Sequence, residues 1–190
     1  MEAFLVSLST VAIAEMGDRT QLLALVLAAH YRRPMPILAG VLCATLANHA
    51  LAGFIGTYLG SYLTPARLNA VVGISMVGMA LWTLKPDALD EGAAAPRRAS
   101  AFLATGVAFF IAEVGDKTQI ATVALAAAYA KLAWVVAGTT LGMFLANAPV
   151  VLLGHAFSRR LPLKALHLGA SALFALLGLV FIWRAFRHTP

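Results

Sequence analysis

The sequence predicts an all-α polytopic membrane protein: six transmembrane helices arranged as two inverted three-helix repeats. Three observations carry that prediction. Hydrophobic residues make up 61% of the 190 and charged residues 12%, with a mean hydropathy of +0.85, whereas a soluble domain carries roughly 25% charge. Apolar runs long enough to span a bilayer recur along the whole chain, and a short acidic motif appears once in each half. At about 20 residues per crossing, six helices use roughly 120 residues and leave the rest for connections. A soluble enzyme and a nucleic-acid module are both excluded on this balance. The formal charge of +6 and the pI near 10.0 belong to the Lys and Arg residues of loops, which set orientation in a membrane protein.

Taken in order, the first segment, 3–29, starts after Met1-Glu2 without a basic leader and stays apolar past polar residues at its centre, so it reads as retained rather than as a cleaved signal. His30 to Pro34 ends it. The second, 36–60, holds the lone Cys43, which rules out an internal disulfide and a multi-thiolate metal site. Ser61 to Pro65 separates it from the third, 67–84. Lys85 to Ser100 is the one linker-like stretch and divides the chain into a first repeat, 1–85, a linker, 86–100, and a second repeat, 101–190. The second repeat contains segments 101–129, 133–156 and 163–183, broken at Lys131 and at Ser158 to Pro162. Trp82, Trp134 and Trp183 fall near segment ends, where interface anchors are expected.

The halves repeat one another. Ala14-Glu15-Met16-Gly17-Asp18-Arg19-Thr20-Gln21 recurs 98 positions later as Ala112-Glu113-Val114-Gly115-Asp116-Lys117-Thr118-Gln119, and Gly40 answers Gly138, Gly56 answers Gly154, and Leu46-Ala47-Asn48 answers Leu145-Ala146-Asn147. Three crossings per repeat is an odd number, so the second repeat enters from the opposite side, a plan common in secondary transporters. Arg32, Arg33, Lys85, Arg97, Arg98, Arg159, Arg160 and Lys164 share one side, against Arg67, Lys131, Arg184 and Arg187 on the other. The richer side is cytoplasmic, which puts the linker inside and both termini outside the inner (cytoplasmic) membrane.

Glu15, Asp18, Glu113 and Asp116 lie within predicted crossings. A charged group at a helix centre costs about 2.5 to 3.5 kcal/mol on insertion scales, so these residues face protein or a wet cavity. Within each motif the acids are spaced i, i+3 on one helical face, with Gln21 and Gln119 continuing the stripe. The intervening Gly permits a close approach or a break in the helix. Four carboxylates against Arg19 and Lys117 leave a formal charge of −2, suited to a divalent cation on hard oxygen ligands such as Ca²⁺, Mn²⁺ or Mg²⁺. Metal and protons compete for such groups, which supplies a basis for cation/proton antiport. The plainer alternative makes Glu15–Arg19 and Glu113–Lys117, both i, i+4, internal ion pairs that only hold the bundle together.

The doubled Glu-x-Gly-Asp-(Lys/Arg)-Thr motif resembles that of the UPF0016 or Gdt1 family, and the resemblance covers essentially the whole chain. It implies transport of Mn²⁺ or Ca²⁺ in exchange for protons, with Mn²⁺ export in bacterial relatives. Glu15, Asp18, Glu113 and Asp116 match the family's acidic positions and Thr20 and Thr118 its hydroxyl positions. The central linker is shorter and less acidic than in many eukaryotic relatives, and the resemblance leads to the expectation of a compact prokaryotic form without their additional N-terminal segment.

Asn48 and Asn147 are candidates for lining the site or for bonding between helices. His49 has no counterpart, Ala148 standing in its place; as a ligand its imidazole would favour Mn²⁺ over Ca²⁺. Gly-rich faces permit a homodimer without requiring one. The expectation is therefore a transporter and not an enzyme, with no cofactor and no nucleic acid, exporting Mn²⁺ ahead of Ca²⁺. The alternatives are an exporter of another cation or a basic amino acid and, more remotely, an intramembrane acid-dyad hydrolase, for which the Tyr-Asp and His-Glu-x-x-His signatures are both missing.

Overall fold

The computed structural model describes residues 1–84, 100–154 and 162–187. These form eight helices: α1 (Glu2–Glu15), α2 (Arg19–Tyr31), α3 (Pro34–Gly60), α4 (Pro65–Thr83), α5 (Ala101–Glu113), α6 (Lys117–Tyr129), α7 (Leu132–Leu153) and α8 (Leu163–Arg187). No strand occurs among the described residues. The linker expected over 86–100 lies, apart from Ser100, outside them, as do Lys85, Arg97, Arg98, Arg159 and Arg160.

Among the described residues, four helices are long and apolar enough to cross a membrane by themselves: α3, α4, α7 and α8. The segments expected as single helices over 3–29 and 101–129 are each two shorter ones. The break has a local cause. Met16 and Val114 turn to extended backbone, and Gly17 and Gly115 follow at φ 86° and 76°, a region that side chains with a Cβ avoid. Asp18 and Asp116 then cap α2 and α6. Backbone N–H groups exposed by such a break inside an apolar bundle need partners. Gln21 and Gln119 provide them, their Oε1 accepting from Gly17 N at 2.9 Å and Gly115 N at 2.7 Å.

Other boundaries follow ordinary end chemistry. Pro occupies the first turn of α3 and α4, where its missing N–H costs nothing. The Ser100 hydroxyl accepts from Leu103 N and starts α5. α2 and α6 close with left-handed residues, Arg32 at φ 52° and Ala130 at φ 50°, again 98 positions apart.

Helices in lipid associate through close packing of small residues rather than through hydrophobic burial. α1 packs along α7, α3 along α5 and α4 along α8. A Cβ at Gly40 would lie 2.8 Å from Phe102 O and 2.9 Å from Thr105 Cβ; one at Gly138 would lie 2.5 Å from Phe4 O and 3.0 Å from Ser7 Cβ. Every residue in the second contact is the counterpart, 98 positions away, of one in the first. Two apolar clusters result. One joins α1, α4, α6 and α8 through Ala14, Met76, Leu125 and Phe174, and the other joins α2, α3, α5 and α7 through Leu27, Val41, Phe109 and Val151. Large apolar side chains such as Phe54, Ile74, Leu145 and Trp183 are exposed on the outside.

Candidate cation site

The two breaks bring the acidic motifs together. Glu15 and Glu113 end α1 and α5, while Asp18 and Asp116 precede α2 and α6, and all four are 0–2% exposed. Helix C-termini carry partial negative charge and N-termini partial positive charge. Each glutamate therefore adds to a negative helix end, and each aspartate sits against a positive one.

One oxygen of each glutamate is held by the threonine five residues on. Thr20 Oγ1 donates to Glu15 Oε2 at 2.6 Å, and Thr118 Oγ1 to Glu113 Oε2 at 3.3 Å. The other oxygens, Glu15 Oε1 and Glu113 Oε1, are buried without a hydrogen-bond partner among the described residues. Glu15, Glu113 and Asp116 each place one carboxylate oxygen so that all three lie within 4.8 Å of one another. That spacing suits a single ion.

Asp18 is not part of this group of three; the Lys117 ammonium bonds its Oδ1. Arg19 makes the reciprocal pair across the repeats, its guanidinium donating to Asp116 Oδ1 at 3.1 Å and to Ala112 O at 2.7 Å near the end of α5. Each basic residue thus neutralises the acid of the other half, not the glutamate four residues before it. Helical spacing cannot reveal this, because the pairing depends on how the two breaks face each other. Asp116 Oδ2 also accepts from Thr118 Oγ1 at 3.3 Å.

The remaining sequence candidates divide by partner. Gln21 and Gln119 are engaged at the breaks, and Gln21 Nε2 further donates to Ala146 O at 2.8 Å. Asn48 Nδ2 donates across to Phe110 O at 3.0 Å, joining α3 to α5, while Asn147 Nδ2 stays on its own helix with Met143 O at 3.1 Å. Both Oδ1 atoms lack partners among the described residues. His49 is fully buried, neither ring nitrogen has a partner there, and the imidazole is outside the group of three carboxylates.

Comparison with known proteins agrees with the duplicated plan. A family model described as "Divalent cation/proton antiporter GDT1" matches residues 3–91 and again 101–189. A protein of Vibrio cholerae serotype O1 named "Putative manganese exporter" is 49% identical over 180 residues, covering 94% of this chain and 90% of the relative. The "GDT1-like protein sll0615" of Synechocystis is 30% identical over 208 residues, covering 96% and 98%. No solved structure matches the chain.

Proposed function

The chain belongs to the GDT1 family, and from that premise we propose that it is a secondary transporter exporting a divalent cation, Mn²⁺ ahead of Ca²⁺, in exchange for protons. It is a membrane transporter of that family and not an enzyme. The observation that carries the reading is the convergence of Glu15, Glu113 and Asp116 within 4.8 Å, buried in a helical bundle, with a bare oxygen on each glutamate. Three carboxylates against the Arg19 guanidinium leave a formal charge of −2, and the Asp18–Lys117 pair adds nothing. A divalent cation neutralises that remainder, and a hard oxygen set accepts Mn²⁺ or Ca²⁺. The name of the Vibrio cholerae relative favours manganese.

In this reading α1 with α2, and α5 with α6, each complete one broken crossing, giving six crossings in two inverted repeats, with both termini outside the inner membrane and the linker in the cytoplasm. Broken helices whose ends meet at a midplane ion site are the usual transporter device. Carboxylates bind metal only when deprotonated, so a proton entering down its gradient releases the outgoing cation's ligands.

The test is Mn²⁺ and Ca²⁺ flux into or out of proteoliposomes under an imposed pH gradient, with Glu15→Gln and Asp116→Asn beside the wild type. Proton-driven Mn²⁺ movement that both substitutions reduce at least a hundred-fold is the expected result. No divalent flux from well-folded wild-type protein overturns the assignment.

A further inference from the structure

We propose that the third carboxylate of the site changes with the direction in which the carrier faces: Asp116 completes it with Glu15 and Glu113 in the arrangement described here, and Asp18 takes that place in the opposite one. The inference rests on the transport reading above and adds a division of labour among the four acids.

The argument starts from where the internal two-fold holds and where it fails. It holds for α1 on α7 against α3 on α5, down to the equivalent glycine contacts. α4 and α8 pack closely as well, a Cβ at Gly73 lying 2.8 Å from Gly178 O and one at Gly178 2.9 Å from Gly73 O. It fails for α6 and α2. α6 lies tightly on α3, where a Cβ at Gly56 would come 2.1 Å from Val123 O and one at Gly60 would come 3.2 Å from Ala127 Cα. At Gly154, the counterpart of Gly56, a Cβ would meet no described atom within 4 Å. α6 also packs on α4, and α1 on α8, whereas among the described residues α2 on α8 and α5 on α4 have no comparable packing. Among the described residues, the half of the molecule bearing α1 and α6 is closed, and the half bearing α2 and α5 is looser.

The ion pairs follow the same division. Lys117, at the start of the tightly packed α6, is 2% exposed and its partner Asp18 0%; Arg19, at the start of the looser α2, is 32% exposed. An aspartate gripped by a buried ammonium is a poor ligand, because moving either charge away leaves the other uncompensated. An aspartate held by a partly solvated guanidinium is released at little cost. Asp116 is accordingly the one that converges with the two glutamates.

Exchanging each residue for its counterpart describes the opposite arrangement. α2 then seats on α7 and α8, Arg19 is buried on Asp116, Lys117 moves to the loosened end, and Asp18 joins Glu15 and Glu113. The glutamates keep their threonines throughout. In either arrangement three carboxylates and one accessible basic group leave the same −2, so the cation stays neutralised as the carrier turns. The sequence contains a source for the present bias: Pro149 stands in α7 where α3 has Ala50, and α7 ends at Leu153 while α3 continues to Gly60.

A disulfide across the closed end isolates one arrangement. A Cβ at Gly60 would lie 3.3 Å from Ala127 Cβ, close to the 3.5–4.5 Å of a disulfide, so Gly60→Cys with Ala127→Cys is made in a Cys43→Ser background. Oxidation should form the bond and stop Mn²⁺ flux, and reduction should restore it. Titrating Mn²⁺ into the oxidised, detergent-solubilised protein should show Asp116→Asn weakening binding at least ten-fold more than Asp18→Asn, although both substitutions cost flux in the reduced protein. Asp116→Glu and Asp18→Glu should rank in the same order and serve if an Asn variant fails to fold. Equal weakening, the reverse order, or no cross-link overturns the exchange while leaving the transport reading intact. Loss of Mn²⁺ binding from both the oxidised and the reduced parent, with all four acids present and the protein folded, overturns the transport reading instead.

Discussion

Glu15 and Glu113 owe their poise to Thr20 and Thr118, whose hydroxyls hold one carboxylate oxygen and leave the other bare. Replacing Thr20 with the isosteric Val removes a charge-assisted hydrogen bond of about 1.5 kcal/mol. Mn²⁺ affinity measured by calorimetry should fall roughly ten-fold, with Thr118→Val behaving alike. Gly115 illustrates a different constraint. A Cβ there meets nothing within 4 Å, but φ is +76°, so Gly115→Ala should cost about 1–2 kcal/mol through backbone conformation alone, read as a lower melting temperature in detergent. The acids, the threonines and the glycines were all legible in the doubled motif. Which basic residue meets which acid was not, because Arg19–Asp116 and Lys117–Asp18 join groups 97 and 99 residues apart.

Helices α1, α2, α5 and α6 are 13 or 14 residues long, shorter than the roughly 20 residues of a full crossing, and their ends rather than their lengths matter for the site. Hydropathy averages over a window of about 19 residues and therefore passes through the breaks as if 3–29 and 101–129 were continuous. The left-handed residues closing α2 and α6 are a separate matter of local conformation. Ala130 at φ 50° carries strain that glycine does not, so Ala130→Gly should raise stability by about 0.5–1 kcal/mol in chemical denaturation. Packing of α6 on α3 makes the opposite demand. Gly56→Ala places a methyl 2.1 Å from Val123 O, which helix displacement must relieve at about 1–3 kcal/mol. It should also slow oxidation of the Gly60→Cys, Ala127→Cys pair, as judged by cross-linking time course.

Across the whole molecule, the ion pairs Arg19–Asp116 and Lys117–Asp18 tie the two halves together by charge. On the proposed antiport, in which the same oxygens bind metal or protons, Mn²⁺ binding should release protons and weaken as pH falls. Calorimetry in buffers of different ionisation enthalpy checks this directly: heats that vary with buffer report the protons released, and buffer-independent heats would separate metal binding from proton exchange.

Composition and the doubled motif were sufficient for an all-helical membrane chain, its duplication and its family, since these follow from residue type and spacing along one polymer. Contacts between α3 and α6, the cross-repeat ion pairs, the fully buried His49 and the convergence of three acids with Asp18 held apart emerged from packing in space. The physical reason is that two copies of a nearly identical motif predict nearly identical surroundings. A two-fold arrangement becomes inequivalent when close-packed helices can seat tightly against only one end at a time.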